Sequence, residues 1–185
     1  MNSLKKMSGH RNWYRYGVYL IFAIFYFWMA AQIPYTHDDW DWGSAVGIQQ
    51  LLKATVNSRY VGNFFVVIMT RSEFVKILIM GGVSSVLPFL LERTALGEKQ
   101  VITAGGRMIL FLSANFLLLS VEYGIWRETY GWVSGYANYV ISAVPMLMCF
   151  SLCQYAFEEK VVPVQQRSFG VCAGTFLLGV VAQLF

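Results

Sequence analysis

The sequence predicts an all-α, polytopic integral membrane protein of about five transmembrane helices, with an interfacial helix in its first outer loop. Three observations carry that expectation: scarce charge, long apolar runs, and a bias in where the few charges fall. The 185 residues are 57% hydrophobic, 17% aromatic and only 13% charged. A soluble domain of this size carries roughly 25% charged residues to clothe its surface, so about half of the usual charge is missing and lipid is the outer solvent the composition suits. Disorder is excluded by the low charge together with 14 Phe, 11 Tyr and 6 Trp, and a secreted disulfide scaffold by only three cysteines. Cys149, Cys153 and Cys172 sit inside apolar runs with no C-x-x-C or Cys/His pairing, which is the pattern of small packing residues in helices.

A membrane-crossing helix needs about 20 mostly apolar residues. Five stretches answer to that: 16–33, 75–91, 101–120, 139–157 and 168–185. Together they define a single membrane domain over 1–185, with outer loops at 34–74 and 121–138. Lys5, Lys6, Arg11 and Arg15 precede the first stretch, as in a signal peptide. Its apolar length exceeds a signal core and further spans follow, so it reads as a retained anchor.

Orientation comes from Lys and Arg. With the amino terminus cytoplasmic, Lys5, Lys6, Arg11, Arg15, Arg93, Lys99, Arg107, Lys160 and Arg167 lie inside, against Lys53, Arg59, Arg71 and Arg127 outside. That asymmetry is the positive-inside pattern. It also accounts for the net charge of +4 without a nucleic-acid partner, since no separate basic patch interleaved with aromatics stands apart from these loops.

Directly after the first span the chain reads Ile33-Pro34-Tyr35-Thr36-His37-Asp38-Asp39-Trp40-Asp41-Trp42-Gly43. Three carboxylates within four residues at a membrane surface repel one another, which calls for a raised pKa or a cationic partner, and such clusters commonly do chemistry or bind cations. The bland alternative is a solvated acidic loop between interfacial tryptophans. Over 44–55, Ala45, Val46, Ile48, Leu51 and Leu52 recur at helical spacing, as in a helix lying in the interface. Asn57-Ser58-Arg59-Tyr60-Val61-Gly62-Asn63 then supplies a cation and two amides. Residues 63–70 are too short to span and read as a membrane-dipping helix, with a bend at 71–74. Lys76 is expected to snorkel to the outer interface, and Gly81, Gly82, Ser84 and Ser85 to give the second span a small-residue packing face, with Pro88 as a kink.

An outward acidic motif, His37-Asp38-Asp39-Trp40-Asp41-Trp42, after a first span and before Asn57-Ser58-Arg59-Tyr60-Val61-Gly62-Asn63 resembles the start of bacterial GT-C-type membrane glycosyltransferases. More closely it is similar to a poorly characterised GT-C-like group with a proline, a paired-Asp motif and a downstream N-G-R-Y-like element. Trp132-Val133-Ser134-Gly135-Tyr136-Ala137-Asn138-Tyr139 resembles that group's W-x-S/T-G-x-x-N-Y element. The resemblance covers residues 16–139.

It implies transfer of a sugar from a polyprenyl-phosphate carrier to a cell-envelope glycan or lipid acceptor at the outer face of the bacterial inner membrane. An aspartate of the first outer loop is then the general base, with Asp39 the first candidate and Asp38 the second. A carboxylate there takes the proton of the attacking hydroxyl, while a cation steadies the departing phosphate. Arg59 is the phosphate partner, its fork suited to two oxygens. Asn57, Tyr60, Trp132, Asn138 and Tyr139 are the substrate-binding candidates, with Trp40, Trp42 and Tyr136 as further sugar-stacking surfaces. Asp39-Trp40-Asp41 also spells D-x-D, which in another class of glycosyltransferases holds a divalent cation, so Asp39 and Asp41 are the candidates for Mg or Mn, with His37 beside them. The enzymes it resembles continue through more spans, so the chain is also read as an amino-terminal part or one member of a two-subunit membrane assembly. Two other readings stand beside it: a transporter or flippase-like component that draws a cation or polar solute with its acidic loop, and a non-catalytic accessory subunit.

Overall fold

The computed structural model describes residues 13–53, 57–96, 103–157 and 169–185, and of 153–157, 169, 171 and 172 the backbone alone. Lys5, Lys6, Arg11, Lys99, Lys160 and Arg167, counted above for orientation, lie outside the described residues, as does the end of the interfacial helix at 54–55. Every described element is helical: α1 (Trp13–Gln32), α2 (Asp39–Gly43), α3 (Ala45–Lys53), α4 (Tyr60–Met69), α5 (Glu73–Leu96), α6 (Ala104–Leu119) and α7 (Tyr123–Thr129) precede α8. Helix α8 is continuous through Val133–Gly135, a π-helical stretch Tyr136–Ile141 and Ser142–Phe157, and α9 is Phe169–Gln183.

Among the described residues three helices are long and apolar enough to cross a membrane: α1, α5 and α8 over Val133–Leu152. A fourth qualifies only if α6 and α7, bent by 91° to each other, count as one span. Of the five expected spans, 16–33, 75–91 and 139–157 correspond to α1, α5 and α8. The 101–120 run corresponds to α6, whose 16 residues rise about 24 Å against a hydrocarbon core of about 30 Å, and the 168–185 run extends into residues outside those described.

Helix α5 is the hub, packing on α1, α4, α6 and α8. Gly81 makes its approach to α1 possible, because a Cβ there would stand 2.6 Å from the Phe27 ring; Gly82 meets nothing within 4 Å and takes no part in the close packing. Polar ties replace water where the bundle is dry. The Tyr26 hydroxyl donates to Asn115 Oδ1 at 2.8 Å, and Asn115 Nδ2 donates to the Phe111 carbonyl. Ser84 and the Tyr136 hydroxyl lie 2.7 Å apart, and that hydroxyl also donates to the Met80 carbonyl. Tyr136 is completely buried by this arrangement, which removes it from the sugar-stacking candidates.

Helix α8 contains Pro145, which removes the hydrogen bond to the residue four earlier, Ile141. Ile141 is the last residue of the π-helical stretch, so the widened turn and the proline share one irregularity. Cys149 Sγ sits 4.0 Å from the Thr175 carbonyl of α9, a packing position.

At one end of the bundle the described residues of 34–74 form a cap. Lys76, expected to snorkel, is instead 1% exposed: its ammonium donates to the Ile33 carbonyl at 2.5 Å, pairs with Glu73 at 2.6 Å and lies 4.7 Å over the Tyr35 ring. The carbonyl is available because Ile33 is where α1 ends and its last carbonyls lack intrahelical partners. Arg71 clamps the cap from the other side, donating to the carbonyls of Val67, Trp42 and Ser44 at 2.7, 2.9 and 2.5 Å.

Candidate functional site

The acidic motif is shaped by one strained residue. His37 has φ of 50°, a left-handed conformation that costs a non-glycine residue about 1–2 kcal/mol, and it reverses the chain just before α2. The turn separates the paired aspartates. Asp39 points into the protein and is 1% exposed, whereas Asp38 and Asp41 face outward.

Asp39 is fully engaged. One oxygen accepts from the Ser134 backbone N–H at 3.0 Å and from the Ser134 hydroxyl at 2.5 Å, and the other from the Thr36 N–H at 3.0 Å. The carboxylate thus ties the first loop to the start of α8. Burial pushes its pKa above the usual carboxylate range; the bonds from Ser134 and Thr36 oppose the rise, and Asp38 adds to it. Neighbouring Tyr35, whose hydroxyl donates to the Met69 carbonyl, is pushed up to about 12 by burial and by Glu73.

Asp38 occupies the position before α2 but its side chain makes no capping bond there. It lines a cavity of about 100 Å³. Trp42, Asn57, Arg59 and Asn63 form the wall from the cap, and Trp132, Ser134, Gly135, Asn138 and Tyr139 the wall from α8. Three sequence motifs, separated by up to a hundred positions, therefore share one cleft. Asp38, Arg59, Asn57, Trp132, Asn138 and Tyr139 are brought together there; Asp39 lies behind Ser134, and Tyr60, exposed on the first turn of α4, is not part of the wall.

Local hydrogen bonds shape the cap side. Asn57 Oδ1 accepts from the Arg59 N–H at 3.0 Å and from Asn63 Nδ2 at 2.9 Å, closing the turn that presents the Arg59 side chain. The guanidinium lies 5.3 Å over the Tyr139 ring and, among the described residues, has no carboxylate partner within 4 Å. On the α8 side, Asn138 Nδ2 donates to the Ser134 carbonyl at 2.8 Å. Its Oδ1 would lie 2.2 Å from a Cβ on residue 62, so any larger residue than Gly62 would push the Asn138 amide aside.

Two polar atoms on the wall are buried without a hydrogen-bond partner: Trp132 Nε1, a donor, and Asn138 Oδ1, an acceptor. Each such group costs about 1–3 kcal/mol unless something pairs with it. The His37 ring rests 5.8 Å from Trp132. Trp40 is 67% exposed and turned away, edge-on to Tyr35, while Trp42 is buried with its edge in the cleft.

A divalent cation does not fit Asp39 and Asp41. Both Asp39 oxygens are taken by protein donors, Asp41 faces outward, and no group of three or more His, Cys, Asp or Glu converges among the described residues. Ser134 is the site residue that motif reading passed over: it stands in the quoted Trp132–Tyr139 element, and a buried loop carboxylate calls for such a short donor.

Fold and cleft together define an all-helical chain with membrane-length apolar helices and a polar, half-enclosed cleft at one end of the bundle. Comparison with protein-family models, with characterised proteins and with solved structures finds no match to it.

Proposed function

We propose that this chain is a GT-C-like membrane glycosyltransferase, or the part of one that carries the acidic loop. It moves a sugar from a polyprenyl-phosphate donor to a cell-envelope glycan or lipid acceptor at the outer face of the bacterial inner membrane. The observation that carries the reading is the cleft that holds, among the described residues, a carboxylate without a hydrogen-bond partner, Asp38, and a guanidinium without a carboxylate partner, Arg59, which touches only Tyr139, together with amides and aromatic faces. A carboxylate and a cation are the two charges that glycosyl transfer from a phosphate leaving group requires. Asp38 takes the proton of the acceptor hydroxyl as its oxygen bonds to the anomeric carbon; the bond from that carbon to phosphate breaks, and Arg59 pairs with the departing phosphate oxygens. Trp132, Asn138 and Tyr139 line the cleft where the sugar would lie. Asp39, buried and triply bonded, acts as a positioning residue that holds Ser134 and the loop.

The division of labour is testable. Asp38→Asn is expected to lower transfer from a polyprenyl-phosphate sugar by about 10²–10⁴-fold while the protein still folds, the usual worth of a positioned base. Arg59→Lys is expected to lose bidentate pairing and raise KM for the donor. Unchanged transfer by Asp38→Asn in a wild type that is active would overturn the base assignment.

A further inference from the structure

At the opposite end of the bundle α1, α5 and α6 enclose a second cavity, of about 260 Å³, lined by Arg15, Tyr16, Tyr19, Phe89, Glu92 and Arg107. It belongs to another face of the molecule: Glu92 follows Lys76 by sixteen residues on α5, a rise of about 24 Å. Its charges are unsatisfied in a complementary way. Glu92 is 8% exposed and, among the described residues, makes no hydrogen bond and no ion pair within 4 Å. Arg15 Nε is buried without a partner, and the rest of that guanidinium leans on Tyr19, donating to its hydroxyl at 2.8 Å. Arg107 stands at the mouth, exposed. A buried carboxylate beside two arginines ordinarily closes onto one of them, because an unpaired buried charge is expensive. Here none closes, and the gap between them is the cavity.

We propose that this cavity binds a phospholipid headgroup that carries both a phosphate and a primary amine, the phosphoethanolamine type. The phosphate pairs with Arg15 and Arg107, and the ammonium takes the Glu92 carboxylate, so each of the three charges gains a partner in one event. A purely anionic headgroup leaves Glu92 unpaired and adds repulsion; a choline headgroup brings a cation without N–H donors for it. The Tyr19 ring, packed edge-on against Phe89 and Phe111 at 4.6 and 4.5 Å, forms a rigid floor. Tyr16, Leu20 and Ile24, at successive turns of α1 and 60–69% exposed, continue from the cavity along the bundle as a track for an acyl chain.

The test is native mass spectrometry of the full chain after equilibration with vesicles equimolar in phosphatidylethanolamine, phosphatidylglycerol and phosphatidylcholine. The wild type is expected to retain phosphatidylethanolamine about tenfold over the other two. Glu92→Gln is expected to abolish that preference over phosphatidylglycerol while lipid is still retained, and Arg107→Gln, at an exposed position that folding tolerates, to reduce retention of both. Equal retention of the three lipids by wild type, or a preference for phosphatidylethanolamine that survives Glu92→Gln, overturns the proposal. Soluble phosphoethanolamine, added without vesicles, is expected to bind far more weakly; binding as tight as that of the lipid overturns the lipid as the source.

Discussion

Asp39 shows how one side chain's burial sets both its chemistry and its pH dependence. Its folded pKa is raised, chiefly by desolvation. A carboxyl raised above its unfolded value contributes stability in full below the ordinary carboxylate range and loses that contribution as pH rises through the raised value. The wild type is therefore expected to show a falling apparent Tm across that interval, followed in detergent from about pH 4 to about pH 8, and Asp39→Asn to flatten the fall. The amide keeps an acceptor for Ser134 but turns N–H groups toward the Thr36 N–H, so the flattened curve is also expected to lie lower. Asp39→Ala strands the Ser134 donors as well and is expected to cost about 1–3 kcal/mol. If Asp39→Asn follows the wild-type pH profile, its carboxyl is not the group responsible. Which of the paired aspartates turns inward was not legible in the motif, because His37 decides it: a left-handed residue flips the faces presented by its successors, and histidine signals that conformation far more weakly than glycine does.

At the scale of elements, the small-residue stretch of α5 was legible as a packing face, but its members are not equivalent. Gly81 faces Phe27 of α1 and Gly82 faces open space, a difference that helical spacing alone leaves undetermined until the neighbour is known. Gly81→Ala is expected to destabilise the bundle by about 1–3 kcal/mol, the usual cost of overpacking, while Gly82→Ala is neutral or slightly stabilising through helix propensity. Paired thermal melts in the same detergent check this, and equal shifts would mean that α1 does not approach α5 at Gly81. The helices expected over 44–55 and 63–70 were legible from apolar spacing, and α3 and α4 match their described parts to within a few residues. The third apolar run, 101–120, likewise matches α6; it ends where Ser120-Val121-Glu122 turns the chain and the Glu122 side chain accepts from the Ile125 N–H to start α7.

Across the whole molecule, part of the scarce charge is buried at the ends of the bundle. Lys76, Glu92 and Asp39 are all nearly fully buried, and the reading of charges as loop residues accounted for none of those burials. Each lies at an end of the bundle. Lys76 and Asp39 lock the cap that carries the Asp38 cleft, and Glu92 faces the second cavity with Arg15 and Arg107. An alternating-access transporter built on these charges would need ionisable residues facing one another near mid-membrane, and among the described residues the bundle's middle is held by Tyr26, Asn115, Ser84 and Tyr136 instead. The proposed function needs the orientation expected from the distribution of Lys and Arg, with the Arg15–Arg107 end cytoplasmic and the Asp38 end outside. Single cysteines at Trp40 and at Gly105, both exposed, introduced after replacing Cys149, Cys153 and Cys172, read that assignment directly. In intact cells a membrane-impermeant maleimide is expected to label Trp40→Cys, and to label Gly105→Cys only after the membrane is opened. The reverse pattern would place the Asp38 cleft in the cytoplasm, where lipid-linked donors of the outer face do not reach, and the glycosyl-transfer reading would fall with it.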